Sequence, residues 1–102
     1  MDTPTDEGLS HLLREAAEQF GVLSAPMRLH IISVLCHGEK NVGQLLQTVK
    51  TTQPNMSQHL NMLYQKGILV KRREGVQIFY AIADARLVEI CQAMCDRLKS
   101  RP

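Results

Sequence analysis

The chain has 102 residues, 44% of them hydrophobic and 22% charged, and a formal net charge of +2. That length supports one hydrophobic core rather than two, and that balance excludes a wholly disordered polypeptide. No apolar run approaches the roughly 18 residues that a bilayer crossing requires, and Asp2, Asp6 and Glu7 stand where a signal peptide carries positive charge, so the expectation is a cytoplasmic protein with no membrane partner.

Residues 1–8, MDTPTDEG, read as a flexible polar tail ahead of a single domain over residues 9–99. Helical spacing sets in at about Asp6 and runs to Phe20, with Leu9, Leu12, Leu13, Ala16, Ala17 and Phe20 on one side and Gly21 as punctuation. Ser24 as N-cap and Pro26 in the first turn predict a second helix ending near Cys36, with Gly38 available for a left-handed residue beyond it. Its apolar residues surround most of the cylinder, as expected of a helix covered on several sides. Asn41 and Gln44 have capping-box spacing at the start of a short third helix, whose inward residues are Val42, Leu45, Leu46 and Val49.

Lys50 and Thr51 form a turn, Thr52 caps a fourth helix with Pro54 in its first turn, and that helix runs to Lys66 and stops at Gly67. At 100° per residue Met56, Leu60, Leu63 and Tyr64 share one arc, while Asn55, Gln58, His59, Met62 and Gln65 point away. The period then changes to two. Ile68–Arg73 and Val76–Ile82 read as strands joined by a two-residue turn, Glu74-Gly75. A last helix starts at Asp84 and carries Leu87, Val88, Ile90, Cys91, Met94, Cys95 and Leu98 on a wide apolar arc. The predicted class is mainly α with a small β-hairpin (α+β), in the order of a winged helix-turn-helix with five helices and a two-stranded wing.

The net charge hides an uneven distribution. Residues 1–24 carry five carboxylates against Arg14, a net −4, whereas residues 40–80 carry six Lys and Arg against Glu74, a net +5. A charge run is ordinarily a solvated face, but this one coincides with a polar helix face and a basic hairpin. A helix fits the major groove and Asn or Gln amides there can bond adenine edges, while basic residues on a hairpin meet phosphates. The candidate DNA-binding residues are therefore Gln53, Asn55, Ser57, Gln58 and His59 on the helix, with Ser57 nearer the packed edge, and Arg72, Arg73 and Gln77 on the wing. Lys71 is a weaker candidate because alternation turns it to the other face. A protein-interaction module without DNA binding is the alternative, and salt-sensitive retention on duplex DNA separates the two. No enzyme is expected and no cofactor is required, since Cys36 with His37, or Cys95 with Asp96, are neighbours pointing about 100° apart on a helix and cannot face one another.

The segments Ala25-Pro26-Met27-Arg28-Leu29, Val42-Gly43-Gln44-Leu45, Gln53-Pro54-Asn55-Met56-Ser57-Gln58-His59-Leu60 and Gly75-Val76-Gln77-Ile78-Phe79-Tyr80 resemble the ArsR/SmtB family of bacterial repressors over about residues 20 to 90. The resemblance implies a homodimer paired through the first and last helices. It also implies binding to an inverted-repeat operator in double-stranded DNA, and release when an inducer reaches a sensor site.

The family's metal sites are not matched. Where several members carry Cys-x-Cys this chain has Glu39-Lys40-Asn41-Val42-Gly43, and where zinc sensors follow an Asp with His, His and Glu it has Arg86, Arg97 and Ser100 after Asp84. Guanidinium groups do not ligate cations. His11, His30, His37 and His59 share no metal-ligand spacing.

Three cysteines remain, an odd number that argues against a disulfide framework. A thiol-based subgroup of the family senses reactive sulfur or oxidants through one cysteine on the second helix and one on the last, at positions here held by Ser33 and near Lys99. Cys36 lies about one turn after the first position and Cys95 about one turn before the second, so a facing pair is preserved if the helices run antiparallel. The resemblance thus points to a repressor released by a small thiol-reactive inducer, with Cys36, Cys95 and Cys91 as candidate sensor thiols and Cys91 the one placed most centrally for packing. The alternative is an arsenite or other soft-metal site using Cys36, Cys91 and Cys95 together.

Overall fold

A computed structural model describes residues 6–102. In chain order the elements are α1 (Asp6–Leu23), α2 (Pro26–Leu35), β1 (Lys40–Asn41), α3 (Val42–Thr48), α4 (Gln53–Gln65), β2 (Leu69–Glu74), β3 (Gln77–Ile82) and α5 (Ala85–Lys99). This is the winged helix-turn-helix arrangement, five helices with an antiparallel hairpin. Of the tail expected over residues 1–8, residues 1–5 lie outside the described residues, and Asp6, Glu7 and Gly8 belong to α1.

The local chemistry explains most boundaries. Asn41 and Gln44 form the expected capping box at α3, each side chain bonding the other's backbone N–H at 2.8 and 2.9 Å. Thr52 caps α4 by accepting from the Asn55 N–H at 3.2 Å, and Asp84 caps α5 by accepting from the Arg86 N–H at 2.9 Å. At the end of α4 the Ile68 N–H reaches back to the Leu63 carbonyl and the Gly67 N–H to that of Tyr64. Gly67 takes the positive φ of 75° that this closure demands, which removes the helix's momentum and turns the chain into β2.

Three expectations need correction, and one element was not anticipated. Gly21 does not end α1; the helix continues to Leu23 because Val22 and Leu23 are buried, and core packing outweighs a single glycine's weak helix propensity. Ser24 does not cap α2. Its hydroxyl donates to the Gly21 carbonyl at 2.6 Å, finishing α1, and the extended Ala25 leads into α2 with no side-chain cap. The hairpin turn is Gly75-Val76 rather than Glu74-Gly75: Glu74 pairs with Gln77, and the only positive φ in the turn is the 62° of Gly75. A two-residue turn with glycine first needs one left-handed residue, whereas the expected position would have forced Glu74 into that region as well or left the glycine in the wrong place. Finally, the sheet has a third, two-residue strand. β1 pairs antiparallel with β3, giving the order β1-β3-β2, with Lys40 opposite Tyr80 and Asn41 opposite Phe79. Two residues carry no readable alternation, so period alone could not announce them.

The core is formed by Ile31, Ile32 and Leu35 of α2, Leu45 of α3, Met56, Leu60 and Leu63 of α4, Leu69 of β2 and neighbouring residues. α5 contributes no buried residue; Leu87, Val88 and Cys91 only pack partly against this cluster. The apolar faces of α1 and α5 remain open, with Leu13 59%, Phe20 57% and Met94 55% exposed. No helix among the described residues is long and apolar enough to cross a membrane.

Two substitutions separate the roles of core and cap. Leu60→Ala should cost about 2–5 kcal/mol of unfolding free energy, because the cavity opens between α4 and a fully covered core. Thr52→Ala should cost about 1 kcal/mol by leaving one amide of the first turn unpaired. Urea titration measures both, and the order of the two losses is the expected result.

Candidate nucleic-acid interface and thiol groove

α4 reaches the surface as a two-sided element. Met56, Leu60 and Leu63 are wholly covered, which orients Ser57 and Gln58 into solvent, and Gln53 is exposed as the first residue of the helix. His59 and Asn55 are half-buried on the flank. Asn55 is further occupied: its amide donates to the Thr51 hydroxyl at 2.6 Å, so it tightens the turn between α3 and α4. Ser57, expected at the packed edge, is exposed, while His59, expected to point outward, lies closer to the core than Ser57 does. The buried arc is centred nearer Leu63 and Leu60 than Tyr64, and that rotation exchanges the two.

The wing separates its basic residues. Lys71 lies across the Tyr64 ring of α4, its Nζ 4.2 Å from the centroid, as alternation predicts. Arg72 points to the opposite face, where its guanidinium stacks 4.7 Å over Phe79 and donates to both oxygens of Glu39 at 2.8 and 2.5 Å, and to Glu74 at 2.8 Å. Arg73 returns to the Lys71 side, and its Nε donates to the Gly75 carbonyl at 3.0 Å. Gln77 is held by the Asn41 amide at 3.3 Å, on the Arg72 face. Glu39 was not singled out from sequence, and Asn41 was read only as a helix cap, not as a partner of the wing. Their signal was the acidic residue of Gly38-Glu39-Lys40, legible only if the missed strand is placed beside the hairpin.

A second feature lies between α2 and α5. A groove of about 470 Å³ is bounded by Phe20, Leu23, Leu29, Ile32, Ser33, His37, Val88, Met94 and Leu98, and Cys36, Cys91 and Cys95 all line it. Cys36 sits at the C-cap of α2, its thiol donating to the Ser33 carbonyl at 2.9 Å. Burial pushes the Cys91 thiol above its ordinary range, and a charge on Cys95 would push it in the same direction. Cys91 is thereby kept protonated at neutral pH and is a poor nucleophile. Among the described residues no group of three or more His, Cys, Asp or Glu side chains is placed to hold a metal ion, so the three thiols share a groove without forming a three-thiolate site in one protomer.

Charge pairing also sets a pH response. The Arg86 guanidinium and N–H hold the Asp84 carboxyl down to about 2, and the Arg72 fork holds Glu39 below its ordinary range. A carboxylate depressed by folding contributes stability above its unfolded pKa of about 4, and that contribution disappears as pH falls through the folded value. The α5 cap should therefore weaken between about pH 4 and pH 2, with a modest effect because both groups are exposed. Asp84→Asn keeps a capping oxygen and removes this titration. Its urea midpoint should change less than that of the parent protein between pH 5 and pH 2.5.

Against known proteins, residues 25–71 match the model of the bacterial regulatory protein arsR family. A biofilm growth-associated repressor from Xylella fastidiosa is 36% identical over 90 residues, 88% of this chain and 79% of that protein. The crystal structure of the transcriptional repressor BigR from the same organism superposes with a TM-score of 0.77 at 36% identity, covering 88% of this chain and 92% of that one. The homodimeric winged helix-turn-helix DNA-binding domain of a possible ArsR-family regulator from Mycobacterium bovis gives a TM-score of 0.79 at 29% identity, covering 94% and 91%.

Proposed function

Because the chain belongs to the ArsR/SmtB family of winged helix-turn-helix transcriptional repressors, we propose that it binds an inverted-repeat operator as a homodimer and leaves it when its groove thiols are oxidised or persulfidated. The observation that carries the DNA-binding part is α4, whose buried face is fixed by the core and whose first two turns offer Gln53, Ser57 and Gln58 to a base edge, with His59 and Asn55 beside them. The relatives are repressors, which supports a regulator over an enzyme.

Dimerisation is supported by what the protomer leaves uncovered. α1 and α5 hold Leu9, Leu12, Leu13, Phe20, Ile90, Met94 and Leu98 in water, and a second copy offering the same faces would cover them. The Mycobacterium bovis neighbour is homodimeric, in line with this reading. Pairing through these helices sets the separation of the two α4 helices, which must match half-sites about one helical turn apart.

The thiol reading is supported by Cys36 and Cys95 lining one groove from two different helices. Joining two thiols as a disulfide removes two electrons and two protons, which a peroxide or diamide accepts, and a polysulfide bridge would retain additional sulfur from a persulfide donor. Such a bridge ties α2, part of the core, to α5, part of the proposed dimer face. A bridge between Cys91 and Cys95, one turn apart on a single helix, would meet disulfide geometry poorly and constrain nothing else. Cys91 is better suited to packing.

Gel shifts on the promoter of its own operon should show sequence-specific retention at 150–200 mM salt, with the protein sedimenting at low micromolar concentration as two protomers. Gln58→Ala should cost about 1–3 kcal/mol at one base position and relax preference there while the melting temperature stays unchanged. Binding that ignores sequence would overturn the reading. Diamide should release the parent protein from DNA, with mass spectrometry locating a Cys36–Cys95 link, and Cys36→Ser and Cys95→Ser should each stay bound. Release of both variants would leave the cysteines a packing role.

A further inference from the structure

The two adjacent arginines of the wing, alike in sequence, are held in opposite ways. Arg72 spends three guanidinium donors on carboxylates, two of them in a fork to Glu39, and sits over the Phe79 ring, 4.7 Å from its centroid. Its charge is thus met by two acids, Glu39 and Glu74. To reach a phosphate it would have to leave a bidentate partner and an aromatic face, and would leave those two carboxylates beside a polyanion. Gln77, on the same face, is likewise tied to Asn41. Glu39 immediately precedes β1 and Asn41 closes it, so this whole face of the hairpin is fastened to the short segment between α2 and α3.

The other face is different. Lys71 rests on Tyr64 of α4, which places the Lys71 side of the hairpin towards the proposed recognition helix, and strand alternation puts Arg73 on that side, one step nearer the tip. Arg73 has no carboxylate partner among the described residues; its bond to the Gly75 carbonyl anchors Nε and aims the guanidinium beside the turn. Resting on the DNA-binding reading above, we propose that Arg73 is the phosphate-contacting cation of the wing and that Arg72 is a positioning residue. Through Glu39 and Phe79, Arg72 holds the hairpin at the angle that delivers Arg73. Glu39 is its working partner, and Glu74 adds to the grip from within the hairpin.

Positioning and phosphate contact leave different marks on salt dependence, because each phosphate neutralised adds about 0.9 to the slope of log affinity against log salt. Operator binding would be measured from 50 to 300 mM salt for the parent protein and for Arg73→Ala, Arg72→Ala, Arg72→Lys and Glu39→Gln. Arg73→Ala should reduce the slope by about one per protomer. Arg72→Ala and Glu39→Gln should weaken binding by a similar several-fold factor at unchanged slope, and the double variant should be no weaker than either. Arg72→Lys keeps the charge and loses the fork, so it should behave like Arg72→Ala. If Arg72→Lys binds as the parent does, if Arg72→Ala lowers the slope, or if Glu39→Gln tightens binding by freeing a competing cation, the proposal is wrong. A parent protein that shows no specific, salt-dependent retention would overturn the DNA-binding reading itself, a result distinct from each of these.

Discussion

The surface proposed to meet DNA depends on the burial of one face of α4. Met56, Leu60 and Leu63 are fully covered by α2, α3 and the base of the hairpin, and three covered side chains over two turns leave the helix no rotational freedom. The Thr52 cap and the Gly67 closure fix its two ends. A polar helix face has no shape of its own; here its orientation is set by what lies behind it. The same closure turns the chain from α4 into β2 at a defined place, so the wing inherits its position from the helix.

α2 is the element shared between the two halves of the proposed mechanism. Ile31, Ile32 and Leu35 lie in the core against α4, while Cys36 at its end and Ser33 on its outer side line the groove facing α5. Three residues beyond Cys36 comes Glu39, which grips the wing. A change that moves the end of α2 therefore acts on a segment packed beside the core, the groove and the hairpin. α5 has no buried residue of its own and is held within the protomer by the partly covered Leu87, Val88 and Cys91.

Most of the fold was legible because its elements carry local signatures. The capping box at Asn41, Thr52 before Pro54, Asp84 before α5 and the switch from helical to alternating periodicity are all written in neighbouring residues. What stayed hidden depended on distant ones. The passage of α1 through Gly21 follows from the burial of Val22 and Leu23, the two-residue β1 exists only by pairing with β3, and the turn register was decided by which residue had to take the positive φ. In the candidate site, the outward placement of Gln58 was readable from helical angles, but the tethering of Asn55, Arg72 and Gln77 was not, because their partners lie on other elements or in the preceding turn. Side chains of like charge side by side in sequence can have opposite surroundings once a strand alternates.

The most direct test of the account is the map of backbone amide resonances perturbed when the isotopically labelled dimer is titrated with its operator duplex. The largest shifts should fall on Gln53 to His59 and on Arg73 to Gly75, with smaller ones at the helix backing α4. Shifts concentrated along α1 and α5, with the first turns of α4 unmoved, would contradict it.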